Sequence, residues 1–212
     1  MEELEEKIEN EIRNKVFIGC FSVKNEEKGK KILKRLYLQF YHTLNNIETK
    51  RLILYNLIYA ERRTTNDEII IQKWVRELKN DMDKVPNYKY EKTGDYCSML
   101  SYYCDCKLDI SKEKLLQYYN FCYVYYKESY ENEKTIENYI YMNNMNFNIN
   151  KILKNFKKVL NVVKDLHNIE NISLKAKVVL EQIIEDIKIL DNSLYKEAIN
   201  IIENMSTNVD CI

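Results

Sequence analysis

Four cysteines, Cys97, Cys104, Cys106 and Cys122, crowd the middle of the chain, with Cys20 and Cys211 lying apart from them. A structural zinc site asks for four thiolate or imidazole ligands, usually supplied as closely spaced pairs. Cys97 and Cys104 are seven positions apart and share one face of a helix, but Cys104 and Cys106 point roughly 200° apart around it. The spacing therefore predicts reduced thiols that fill gaps in a core, not a metal centre. The other candidates for chemistry are sparser. His42 and His167 are the two histidines, and each sits beside an apolar stripe with no nucleophile written near it. Carboxylates fall in mixed runs such as EELEEKIENE, where solvent keeps them ordinary, and general acid–base work needs a perturbing environment. The glycine-rich, P-loop, HExxH and GxSxG patterns do not occur. No catalytic residue, no metal ligand and no cofactor is nominated, and the expectation is a protein that is not an enzyme.

Two binding chemistries remain. Lys30, Lys31, Lys34 and Arg35 fall within two turns of one helix and are candidate phosphate contacts, with smaller basic groups at Arg62–Arg63 and at Lys151, Lys154, Lys157 and Lys158. Against them stands the overall balance, 33 basic and 33 acidic residues, which provides no global field for a polyanion. Tyrosine is the stronger signal. Of the 18 tyrosines, the densest stretch runs from Tyr88 to Tyr141, and so many phenols cannot all be interior with their hydroxyls satisfied. Tyrosine supplies rigid, amphipathic contact area at recognition sites. The expected partner-binding face is therefore built from Tyr88, Tyr90, Tyr102, Tyr103, Tyr119, Tyr123 and Tyr126. The competing explanation is codon bias, since Lys, Asn, Ile and Tyr are abundant and Ala scarce, as in low-GC genomes. The functional expectation is a protein–protein or peptide interaction protein, of the kind a phage, virus or parasite sets against a host or defence protein, with a homo-oligomer as one form of partner. A nucleic-acid-associated regulator using the basic helix face is the alternative.

The elements that position these residues read as helices throughout. Three glycines and one proline leave little of the punctuation that hairpins and phosphate loops need. Leu4, Ile8, Ile12 and Val16 mark a first helix. Asn25 caps a second that carries Ile32, Leu33, Leu36, Tyr37 and Phe40 to about Asn45, and a third spans Glu48 to Arg63. The fourth, Asp67 to Val85, holds Ile70, Trp74, Leu78 and Met82 and stops at Pro86. The segment 86–94, PNYKYEKTG, reads as a loop and hinge between an N-terminal part (1–85) and a C-terminal part (95–212) of one helical domain, 1–212. Further helices are predicted from Asp95, Ser111, Lys134, Asn150, Ser173 and Asn192 or Ser193, the Ser173 helix carrying a stripe of Leu174, Val178, Ile183, Ile184 and Ile187.

The hexapeptides Tyr55–Ala60 and Tyr119–Val124 share a pattern, and the text after Tyr119 resembles the helix–turn–helix of a tetratricopeptide-type repeat. It lacks the small residues that bring such paired helices close. All-α architecture with about nine or ten antiparallel helices, as an irregular bundle or as stacked helical hairpins, is the expected fold. The acidic start Met1–Ile12 and the lack of a long apolar run predict neither a signal peptide nor a membrane span, and hence a cytoplasmic location, or the host cytosol for a viral source.

Overall fold

The computed structural model describes residues 2–106 and 110–206. Among them the fold is all-α: 86% helical, eleven α-helices and no strand. Local chemistry explains most boundaries. Asn25, Asn46, Asp67, Ser111, Thr135, Asn155 and Ser173 each accept a backbone N–H of the first turn that follows, satisfying donors a helix start leaves open. With so few glycines, several left-handed turn positions are held by Lys24, Asn66, Lys134 and Lys154, all at φ between 50° and 56°.

The chain divides into two compact units, Met1–Asp109 and Ile110–Ile212, a boundary distinct from the 86–94 segment. In the first, α1 (Glu2–Glu11) widens into a π-helical turn over Ile12–Ile18, closed by the Gly19 N–H on the Asn14 carbonyl. A 3₁₀ turn (Phe21–Val23) leads to α2 (Glu26–Phe40), which stops at a second 3₁₀ turn, Tyr41–Thr43, short of the Asn45 end the sequence suggested. Then follow α3 (Ile47–Arg63), α4 (Glu68–Asp83), a four-residue α5 (Tyr88–Glu91) and α6 (Thr93–Asp105). The expected loop 86–94 is thus partly helical. Consecutive helices α2, α3 and α4 pack on one another, and α6 packs on α4. Their seam is Leu33, Leu36, Ile53, Leu54, Leu57, Trp74, Val75 and Leu78, all buried. Each such side chain contributes about 1.5–3 kcal/mol on leaving water.

The second unit contains α7 (Lys112–Glu133), α8 (Ile136–Ile152), α9 (Phe156–Glu170), α10 (Leu174–Leu190) and α11 (Asn192–Ser206). Each packs on its sequence neighbour, and α11 also on α9. Ile140, Phe147, Val162, Val163, Leu166, Leu180, Ile183 and Ile187 form its core. Two expectations change here. The helix assigned to begin at Asn150 begins at Phe156, because Asn150 is still inside α8, where its amide bonds the Asn146 carbonyl. Leu174 and Val178, placed in the α10 core stripe, are exposed, and Ala176 and Leu180 are buried in their stead.

Candidate functional site

Helix α4 gathers the titratable side chains of the first unit. Three of its carboxylates each accept a tyrosine hydroxyl from a different element: Glu77 from Tyr37 on α2 at 2.7 Å, Asp81 from Tyr41 of the 3₁₀ turn at 3.0 Å, and Asp83 from Tyr96 on α6 at 2.7 Å. The aryl rings fill the helix seams and the hydroxyls end on α4, which is how a phenol is buried without an unsatisfied donor. Asp81 is further held by Lys50 from α3 at 3.1 Å and by Lys84 at 2.8 Å. His42 Nδ1 stands 3.5 Å from Glu77.

The electrostatics follow from that geometry. Burial, together with the neighbouring Glu77, keeps the Tyr37 phenol protonated far above its ordinary range, and burial with Asp81 does the same to Tyr41. Neither is a nucleophile or a base near neutral pH. Burial pushes the Asp81 carboxyl up, but its hydrogen bonds from Lys84, Lys50 and Tyr41 prevail and hold it below the usual carboxylate range. Asp83 is lowered in the same way, burial being overcome by Lys79 and Tyr96.

Beside this cluster lies an open cleft of about 740 Å³, walled by α2, the Tyr41–Thr43 turn, α3 and the outer face of α4. Its lining carries four cations, Lys50, Lys73, Arg76 and Lys84, against two carboxylates, Glu77 and Asp81. Both carboxylates are already engaged. Lys73 and Arg76 are exposed and form no ion pair among the described residues. Ile69 sits one turn earlier on the same face, 82% exposed. The cleft therefore presents unneutralised positive charge beside an apolar side chain. None of these residues was nominated from the sequence. Ile69, Lys73, Arg76 and Asn80 do recur at helical spacing along the face opposite the buried stripe, and an isoleucine in a basic outer face was the available signal.

The nominated basic patch is taken apart by its own fold. Lys30 is buried, donating to Thr64 Oγ1 at 2.6 Å and Thr65 Oγ1 at 3.1 Å and pairing with Glu27 at 3.1 Å. Lys34 pairs with Glu61 at 3.5 Å, and Arg35 with Glu11 at 2.6 Å. Lys31 alone of the four is an exposed cation without a described ion pair. Three of the four candidate phosphate contacts are thus neutralised within the molecule, which is the correction the tertiary contacts impose.

The tyrosines of the expected partner face are also dispersed. Tyr88, Tyr119 and Tyr126 are buried, so their rings offer no area to a partner. Tyr102 packs edge-on against Tyr55 at 5.2 Å with Arg62 over it at 5.1 Å, and Tyr103 lies under Lys79 at 5.3 Å. Tyr123 is half-buried, and Tyr90 is 85% exposed. Tyr88 to Tyr103 belong to the first unit and Tyr119 to Tyr126 to the second.

Cys97, Cys104, Cys106 and Cys122 are buried free thiols. Arg62 Nη2 donates to the Cys106 sulfur at 3.7 Å. Among the described residues no three His, Cys, Asp or Glu side chains are grouped as metal ligands. His167 is buried with its Nδ1 2.7 Å from Glu170, inside the core margin of α9. No described helix is long and apolar enough to cross a membrane. The chain matches no family model, no curated protein and no solved structure.

Proposed function

We propose that this chain is a non-enzymatic binding protein whose first unit takes an acidic peptide segment of a partner protein in the α4 cleft. The observation that carries the reading is the pair Lys73 and Arg76, exposed and without an ion pair among the described residues, in a cleft whose carboxylates are already occupied by Tyr37, Tyr41, Lys50 and Lys84. An arriving carboxylate meets two available cations instead of competing with internal ones, and Ile69 offers an apolar contact beside them. Arginine's fork suits bidentate carboxylate recognition. The phenols of the site and Asp81 support binding over catalysis, because the phenols stay protonated and the Asp81 carboxylate, held below its usual range, stays charged near neutral pH.

A fluorescein-labelled peptide of about a dozen residues alternating Glu-Glu-Leu tests it by anisotropy, with a Lys-Lys-Leu peptide as control. Binding of the acidic peptide is expected to weaken with added salt and to fall about tenfold or more in the Lys73→Glu/Arg76→Glu variant. Equal affinity for both peptides, or an unaffected double variant, rejects the assignment. The nucleic-acid reading has less support, since Lys30, Lys34 and Arg35 spend their charge internally.

A further inference from the structure

Of the two carboxylates in the α4 cleft, Asp81 is held by fixed cations, Lys50 at 3.1 Å and Lys84 at 2.8 Å. Glu77 is held differently. Its Oε2 accepts the Tyr37 hydroxyl at 2.7 Å, which brings no charge. Among the described residues its one ion-pair partner is His42, whose Nδ1 stands 3.5 Å from the other oxygen, Oε1. That partner is a cation only when protonated. His42 is the one imidazole among the described lining residues, and imidazole is the side chain that ordinarily changes charge between pH 5 and 8. Its side chain is 67% exposed, so protons reach it from solvent. The Tyr41–Thr43 turn fixes its place, with the ring edge-on to Tyr37 of α2 at 5.6 Å and to Tyr41 at 5.3 Å.

The other charged groups around the lining are Lys50 of α3, with Lys73, Arg76, Asp81 and Lys84 on or just past α4. Lysine and arginine ordinarily keep their charge well above pH 8, the Tyr37 and Tyr41 phenols stay neutral, and Asp81 stays ionised. Acidification from pH 8 to pH 6 therefore adds its charge at His42, an ion-pair distance from Glu77. Glu77 follows Arg76 directly and lies one turn beyond Lys73, the two cations offered to the peptide. We propose that His42 is a proton-operated regulator of this cleft. Unprotonated, it leaves the Glu77 charge to repel an incoming carboxylate. Protonated, it pairs with Glu77, and the cleft holds an acidic segment more tightly. The inference rests on the peptide reading of the cleft and adds its regulation. By reciprocity, binding of the segment takes up a proton. One charge several ångströms from the bound carboxylates, in a cleft open to water, is worth about threefold in affinity.

Anisotropy titrations of the Glu-Glu-Leu peptide on the full chain at pH 6 and pH 8 test the regulator, at low salt and with a rhodamine label that does not titrate in this range. The peptide carboxyls stay ionised at both values. The dissociation constant is expected to be about threefold lower at pH 6. His42→Gln is expected to give one affinity at both pH values. His42→Lys, which keeps a positive charge beside Glu77, should also be independent of pH and should bind more tightly than His42→Gln. Because the side chain is mostly in water, melting followed by circular dichroism should show both variants folded like the parent. Equal affinity of the parent at the two pH values, or a pH dependence that persists in His42→Gln, overturns the inference while leaving peptide binding by the cleft intact. An absence of binding at both pH values rejects the cleft assignment itself, and this inference with it.

Discussion

Tyr41 is buried with its hydroxyl on Asp81 at 3.0 Å and with Lys50 5.0 Å above its ring. A hydrogen bond to a charged acceptor is worth about 1.5–3 kcal/mol, so Tyr41→Phe should lower the unfolding free energy in urea by that amount. Tyr90→Phe, at an exposed ring, should leave it unchanged. Asp165 on α9 behaves oppositely to Asp81. Burial raises its carboxyl, with Lys164 only partly compensating. A carboxyl raised on folding opposes stability above its folded pKa and ceases to do so as the group protonates. Asp165→Asn should therefore stabilise the protein by a few tenths of a kcal/mol at pH 7, after allowing for solvent screening, and the gain should shrink on acidification. Thermal melts of both proteins at two pH values check this. The residue scale is also where sequence reading fell short. Lys30 and Lys31 are adjacent and equal on the page, yet one is buried against Thr64 and Thr65 and the other is in water.

At the scale of elements, the caps were legible because they are local. Asn25 and Ser173 were recognised from the residues that follow them, and both accept the expected first-turn N–H groups. Thr135 was missed in favour of Lys134 one residue earlier, although its Oγ1 accepts the Asn138 N–H at 3.2 Å. Thr135→Ala should cost about 1 kcal/mol, and Thr135→Ser should recover most of it. Lys134 itself closes α7 in the left-handed region at φ 50°, its N–H on the Tyr130 carbonyl at 2.7 Å. A Cβ is disfavoured there by about 1–2 kcal/mol. Lys134→Gly is consequently expected to raise the melting temperature, against the usual effect of placing glycine in a helical protein.

Across the whole molecule, the acids held low by tertiary contacts, Glu11, Asp81 and Asp83, lie in the first unit, and the raised Asp165 lies in the second. For a carboxyl lowered on folding, the stabilisation is present above its unfolded pKa near 4 and lost as pH falls through the lower folded value. Glu113 in the second unit is also lowered but fully exposed, where water screens it. Amide hydrogen exchange by mass spectrometry should then show α2–α4 losing protection at a higher pH than α8–α10 during acid titration. Equal acid sensitivity of the two sets of helices would count against this assignment of charges.

The sequence by itself determined helicity, most helix starts and the buried stripes of α2 and α4, because hydrogen bonding and side-chain direction along a helix repeat within a few residues. It also held the apolar residues of α10, but not which of two overlapping stripes faces inward. Only the tertiary structure decided that Leu174 and Val178 stay in water, that Tyr88, Tyr119 and Tyr126 turn inward, and that Lys34 and Arg35 are spent on Glu61 and Glu11. Those outcomes rest on partners 24 to 27 residues away in the ion pairs of Lys34 and Arg35, and on the packing of whole helices elsewhere. A charge or a phenol acquires its role from what packs across from it, and that neighbour is set by the meeting of helices, not by the residues beside it in the chain.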